Sequence, residues 1–314
     1  MSTLTDKSKA DSLLARILDS DIFHSFIRSP VTVVSAIVTV VFIVAAMCAP
    51  LISPHNPFDP ATLNLMEGFT PPMQANEFTG NVYLMGTDAQ GRDIFSAILY
   101  GSRVSLLVGF AAVSFAALLG ITLGLLSGYL GGWVDALIMR IADVQLSFPA
   151  ILIALLIFGV FKGLVPPALQ DQIAIYVLIL AIGLSDWVQY ARTVRSSTLA
   201  EKNKEYVQAA RVIGVPAPLI LLRHILPNVM GPVLVIATIG LALAIILEST
   251  LSFLGVGVPP TQPSLGTLIR VGQDYLFSGE WWIVLFPGMT LLIIALSVNL
   301  LGDWLRDALN PRLR

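Results

Sequence analysis

Six apolar runs decide what this chain can fold into. A helix of about 20 apolar residues spans the hydrocarbon core of a bilayer, and runs of that kind lie at about residues 31–51, 105–129, 133–161, 173–188, 229–253 and 282–301. The composition agrees: 56% of the 314 residues are hydrophobic and 12% are charged, against about 25% charged in a soluble domain. The expected fold is an all-α polytopic membrane protein with six transmembrane helices. Other classes fall away. A net charge of -2 gives no argument for binding nucleic acid. The single cysteine, Cys48, excludes an internal disulfide, and His24, His55 and His224 are scattered without a cysteine cluster, so no metal site is indicated. No G-x-x-x-x-G-K-[ST] run occurs, so the chain carries no phosphate-binding loop of its own.

The runs divide the chain. Residues 1–30 are polar, then amphipathic, with Leu14, Ile17, Leu18, Ile22, Phe26 and Ile27 at helical spacing. A helix lying in the inner membrane interface fits that pattern, and a helix packed on a partner protein is the competing reading. Residues 31–51 form a first span too long and too late for a cleaved signal peptide, so a retained anchor is expected. Residues 52–97 are polar and Pro-rich and are assigned outside the membrane. Residues 98–314 form a five-helix core that includes a cytoplasmic loop at 192–228. In the second run Gly120, Gly124 and Gly128 fall four apart on one face, a spacing that lets helix backbones approach closely. In the third, Pro149 allows a kink, and Arg140 and Asp143 are spaced to pair near the cytoplasmic interface.

The basic residues give an orientation. With the amino terminus inside, Lys7, Lys9, Arg16, Arg28, Arg192, Arg195, Lys202, Lys204, Arg211, Arg223, Arg306, Arg312 and Arg314 are cytoplasmic. Only Arg92, Arg103, Lys162 and Arg270 fall outside, and Arg140 sits at the inner border. Both termini are therefore expected in the cytoplasm, together with the stretch that separates the fourth and fifth runs.

That stretch, Glu205 to Asn228, reads EYVQAARVIGVPAPLILLRHILPN. A helix through Tyr206, Gln208, Ala209, Ala210 and Arg211 meets Gly214, which suits the left-handed residue that ends a helix. Pro216 drives Val215 out of the helical region, and Pro218 suits the first turn of a second helix. This second helix is expected to carry Leu219, Leu222 and Ile225 on one side and to end before Pro227. Punctuation alone fits a capped hairpin with no partner equally well. The residues go further. Glu205, Ala209, Ala210, Gly214 and the run His224, Ile225, Leu226, Pro227 and Asn228 closely resemble the E-x-x-x-A-A and H-I-L-P-N loop of the permease subunits of ABC importers. The resemblance implies coupling helices that dock into a groove on a separate ATP-hydrolysing subunit, through Glu205, Ala209, Ala210, Gly214, Leu219, Leu222, His224, Pro227 and Asn228.

Three more stretches narrow the resemblance to the C-type permease of dipeptide and oligopeptide transporters, a branch that includes nickel permeases. They are Gly86-Thr87-Asp88 with Gly91-Arg92-Asp93, ESTLSFLGVG from Glu248 followed by VPPTQPSLG, and the tail from Asn299 to Arg314. The tail has Asn310 where an acidic residue is expected. The fold implied is that of a type I ABC importer permease with an N-terminal interfacial helix, in the bacterial inner membrane. The partners implied are a second, similar permease subunit, two ATP-binding subunits that hold ATP and magnesium, an extracytoplasmic substrate-binding protein and the lipid bilayer. No cofactor and no catalysis are expected in this chain itself. Asp88, Arg92, Asp93, Pro259 and Pro260 are candidate contacts for the binding protein, and caps and turns are the competing account of the same residues. Thr87 or Asp88 is expected to cap a helix beginning near Gly91, with Asp93 in its first turn. Residues lining a substrate path are not legible. A stand-alone secondary transporter or channel, which would carry ionisable residues at mid-span, and a structural scaffold are the rival functions.

Overall fold

In the computed structural model the described residues are 21–308, except 54–55, 60–62, 260 and 263. Leu14, Ile17 and Leu18 of the amphipathic start lie outside them, as do His55 and the tail from residue 309. In a bilayer every backbone polar group must find its partner within the protein, and the described chain meets that demand with helices: α1 (Asp21–Arg28), α2 (Pro30–Met47), α3 (Ile94–Leu130), α4 (Gly132–Leu146), α5 (Ala150–Leu164), α6 (Pro167–Glu201), α7 (Glu205–Val212), α8 (Ala217–Phe253), α9 (Leu265–Gln273) and α10 (Trp282–Ala308). Five of them, α2, α3, α6, α8 and α10, are long and apolar enough to cross a membrane.

The third run differs from the single kinked helix expected over 133–161. Helices α4 and α5 are separate and bent by 98° at their break, the shape of a broken span or a re-entrant loop, and only together are they long and apolar enough to cross. Pro149 has no N–H for a helical bond and its ring obstructs the preceding turn, so the chain stops at Leu146 and restarts at Ala150. The helices also outrun the apolar windows. At 37 residues, α3 is roughly 55 Å long at about 1.5 Å per residue, well beyond the hydrocarbon thickness.

The central seam is α3 against α6, the most extensive helix contact of the described chain. The three glycines make it possible. A Cβ on Gly120 would lie 2.4 Å from Tyr190 Cβ, one on Gly124 2.6 Å from the Ala191 carbonyl, and one on Gly128 2.7 Å from Thr198 Cβ. Close backbone approach is therefore what this stripe does. Helix α4 is tied across the same helix by Arg195 Nη2 donating to Asp135 at 2.7 Å and by Trp187 Nε1 donating to Gln145 at 2.9 Å. The expected Arg140–Asp143 pair does not form. Asp143 faces α6 and bonds Arg192 instead.

Residues 63–93 fold into a small lobe built on Glu67, whose carboxylate accepts from Asn81 Nδ2 at 2.7 Å and from the Tyr83 hydroxyl. Burial and the neighbouring Glu67 hold the Tyr83 phenol well above its ordinary pKa, so it stays a donor. The lobe is seated on α10 by Trp282 Nε1, which donates to the Thr87 carbonyl at 3.0 Å. Gly86 is required there: its φ is 77°, and a Cβ would strike the Thr70 carbonyl at 2.6 Å.

Candidate functional site

At one end of the bundle α6 passes into α7 and then α8 through a tight elbow. Helix α7 closes as the glycine rule requires: Gly214 has φ 82°, Ile213 N donates to Ala209 O at 3.1 Å, and Val215 N reaches back to Ala210 O at 3.0 Å. Pro216 and Pro218 stand at the entry to α8. That helix does not end before Pro227. It widens into one π-helical turn over Leu221–Ile225, with Leu226 N bonding Leu221 O, and continues unbroken to Phe253. The wide turn accommodates Pro227, which has no N–H for the Arg223 carbonyl and would otherwise crowd it.

The turn also changes which residues share a face. Ile225 is fully buried, whereas Leu219 is 43% and Leu222 62% exposed, so the three do not lie on one side as expected. Ala210 is likewise buried and packs with Val207 and Ile220 in the main core, which corrects its expected place at a contact surface. Glu205, Ala209, Gly214, Pro227 and Asn228 are exposed and His224 is half-buried. Val212 and Ile213, 86% and 78% exposed, are the largest apolar additions to this surface. The signal for them was present: two apolar residues stand directly before the helix-ending glycine.

Five contacts fix the elbow. The Tyr206 hydroxyl donates to Glu201 at the end of α6, and Asn228 Nδ2 donates to the Tyr206 oxygen at 3.1 Å and to the His224 carbonyl at 2.7 Å. Burial, and then the adjacent Glu201 carboxylate, push the Tyr206 phenol up to about 12, which keeps its proton in place. Lys202 Nζ donates to the Gly128 carbonyl at 2.7 Å, and the Arg211 guanidinium lies over the Tyr129 ring at 5.1 Å. The α7 hairpin is thereby bonded to the ends of α3, α6 and α8 together. Asn228 is engaged in this tie, and Tyr206 and Arg211 are working residues that the motif reading passed over.

At the opposite end the Gly86–Asp93 loop starts α3. The N-cap is Asp93, not Thr87 or Asp88: its carboxylate accepts from Ser96 N at 3.0 Å and Phe95 N at 3.3 Å, and the helix begins at Ile94. Asp88 is buried and accepts from Gln90 N at 2.8 Å and Arg92 N at 2.9 Å. Burial pushes its carboxyl above the usual range against the pull of those bonds. Both carboxylates are thus spent on the loop itself and present no outward charge, which corrects their place among the contact candidates. Arg92 is half-buried with its guanidinium over Phe58 at 5.3 Å, and Pro259 is half-buried. Pro260 lies outside the described residues.

Beneath this loop α8 carries Glu248, fully buried and ringed by serines. Ser105 Oγ donates to it at 2.7 Å, Ser252 Oγ at 2.8 Å and Ser249 Oγ at 3.2 Å, while Leu265 N donates to Ser105 Oγ at 3.2 Å. The carboxylate therefore joins α3, α8 and the start of α9. Gly266 permits the contact, since a Cβ there would lie 2.2 Å from the Ser249 carbonyl.

Residues 120–314 match the family model described as binding-protein-dependent transport system inner membrane component, and residues 20–72 match the N-terminal transmembrane domain of oligopeptide transport permease C. A dipeptide transport system permease protein of Alkalihalophilus pseudofirmus is 36% identical, over 93% of this chain and 89% of its own length. An oligopeptide transport system permease protein of Haemophilus influenzae is 36% identical over 98% and 93% of the two chains. A putative peptide transport system permease protein of Brucella suis is 39% identical over 90% and 88%. With its five membrane-length helices and the bent α4–α5 pair, its glycine-ended elbow and matches that run nearly end to end, this chain belongs to the binding-protein-dependent transport system inner membrane components.

Proposed function

We propose that this chain is a membrane-spanning subunit of an ATP-driven importer of dipeptides or oligopeptides, and that it carries no catalysis of its own. The observation that bears the reading is the tethered elbow of residues 201–228. Its inner face is buried in the core and its outer face exposes Val212, Ile213, Leu219 and Leu222, while its ends are bonded into α3, α6 and α8. A push on such an element moves three crossings at once, as coupling requires of a two-state bundle. The elbow is read as cytoplasmic, with both chain termini on the same side, because the basic residues cluster there. Two ATP-binding subunits holding ATP and magnesium would dock on it, a second permease of the same kind would share the substrate path, and an extracytoplasmic binding protein would deliver the cargo. The peptide cargo follows the names of the relatives.

The test is uptake of labelled di- and oligopeptides, alongside nickel, by proteoliposomes containing the complex. Peptide uptake that stops when ATP is withdrawn supports the reading. Uptake that persists on an ion gradient alone points to a secondary transporter, and uptake of nickel in place of peptide moves the cargo while leaving the coupling intact.

A further inference from the structure

One face of α6 changes its surroundings halfway along the helix. Leu178, Ile182 and Ser185 share that face at helical spacing and are buried where α5 packs over α6. Gln189, Arg192 and Ser196 continue the same face and are exposed. The cover ends at the α4–α5 break. Gln145 Nε2, at the end of α4, donates to the carbonyls of Leu184 at 2.7 Å and Ser185 at 3.0 Å, which sets the break beside this turn of α6. Ser147 and Pro149, within the break, are exposed. Backbone that leaves the helix at membrane depth is tolerated only inside protein or along water, so this face looks into the assembly and not onto lipid.

Asp186, half-buried, stands on the turn where the cover stops. Across from it is Gly240, near the middle of the apolar run at 229–253. A Cβ on Gly240 would lie 2.7 Å from Tyr190 Oη and 3.8 Å from Asp186 Oδ2, so the missing side chain leaves the two oxygens facing one small space. The Tyr190 hydroxyl is buried and has no partner among the described residues. Asp186 has one bond, to Oδ1 from Nε2 of the exposed Gln189 at 2.7 Å, and among the described residues its Oδ2 accepts none. The carboxylates nearby are answered: Glu248 by three serines, Asp135 by Arg195 and Asp143 by Arg192. A carboxylate held at mid-membrane faces a bundle interior or a water-filled cavity and marks the route of a substrate or ion. Two acceptors that converge without a donor call for a ligand that brings N–H groups on a positive charge.

We propose that Asp186 receives the ammonium terminus of the peptide on its way through the bundle, with the Tyr190 oxygen as the second acceptor. This rests on the reading of the cargo as a peptide: side chains vary from one peptide to the next, and the ammonium is the cation they share. The hydroxyl lies against α8 in this structure, and α8 is one of the helices tied to the elbow, so the second bond forms as α6 and α8 part.

The test uses the purified complex in detergent, without binding protein, and reads the binding of trialanine and of N-acetyltrialanine by saturation-transfer NMR. Wild type should bind trialanine about tenfold more tightly than the acetylated peptide, the scale of one charge-assisted hydrogen bond. Asp186→Asn should bind both equally, at the weaker level. Tyr190→Phe should weaken trialanine binding in the same direction while its thermal unfolding holds or rises, because the lost hydroxyl has no partner in the folded chain. A purely structural tyrosine would do the reverse.

Absent or equal binding of the two peptides by wild type, or an undiminished preference in Asp186→Asn, would overturn the site. So would loss of the second permease subunit from the Asp186→Asn complex, since the carboxylate would then be a subunit contact. Uptake of labelled trialanine by wild-type proteoliposomes is read alongside. With uptake present, those results overturn the site alone; with none, the peptide reading falls as well.

Discussion

Asn228 Nδ2 donates to Tyr206 Oη across 3.1 Å, and the same phenol donates onward to Glu201. These three residues belong to α8, α7 and α6, so one hydroxyl closes the elbow that the coupling reading depends on. Removing it with Tyr206→Phe should leave the fold intact, because the ring stays and the site is at the surface. The variant loses two bonds, one to Glu201 and one from Asn228, each worth about 1 kcal/mol, so amide exchange in α7 should quicken by about thirtyfold. Asn228→Ala loses its bonds to the Tyr206 oxygen and the His224 carbonyl, and because the Tyr206–Asn228 bond is shared the double variant should fall short of the sum of the two by about that one bond. Fully additive effects would show that the two side chains act separately.

The phenol also sets a pH dependence. Its pKa is raised from 10.0 to about 12 in the folded chain, so the folded state holds the proton more tightly. The stabilisation it contributes is fully present below pH 10 and is lost as pH rises toward 12. Protection of α7 should therefore be flat across neutral pH, and it should fall in that alkaline window in wild type but not in Tyr206→Phe.

The glycine seam gives a second expectation. Gly124→Val forces a Cβ to within 2.6 Å of the Ala191 carbonyl, and backbone cannot yield as a flexible side chain can. Overpacking of this kind costs about 1–3 kcal/mol or more, and the α3–α6 seam should open, read as loss of folded protein on detergent extraction. Gly159→Ala is the control: nothing lies within 4 Å of that position, and alanine favours a helix over glycine, so its thermal unfolding should hold or rise.

How far the sequence carried differs from place to place for physical reasons. Gly214 and the stripe of Gly120, Gly124 and Gly128 were legible because a missing Cβ has local consequences, a left-handed turn in one case and close helix approach in the other. Five membrane-length helices were legible because hydropathy is a sum over neighbours. The 98° break at α4–α5 was not, since proline permits a bend without setting its angle. The continuation of α8 past Pro227 was hidden because a widened turn repairs what proline removes, and it shifted Ile225 to the buried side. The serine ring of Glu248 joins positions from 105 to 252, a relation that packing creates and spacing along the chain does not show.

That ring supports a third expectation. Glu248→Leu would strand the hydroxyls of Ser105, Ser249 and Ser252 in the interior, each costing about 1–3 kcal/mol, and should abolish the folded protein. Glu248→Gln keeps an acceptor and nearly the same shape, and hydroxyls can rotate to accept from the new amide, so it should fold with a modest loss of thermal stability. Equal damage from both variants would mean that the charge, rather than the bonding, holds α3, α8 and α9 together.

The most direct measurement of the central claim is substrate-stimulated ATP hydrolysis by the reconstituted complex carrying Glu205→Arg. Glu205 is exposed in the first turn of α7, so reversing its charge should spare folding and assembly. Expected is an assembled complex whose ATP hydrolysis no longer rises when loaded binding protein is added. Stimulation at the wild-type level in the same assembled complex would contradict transmission through this elbow.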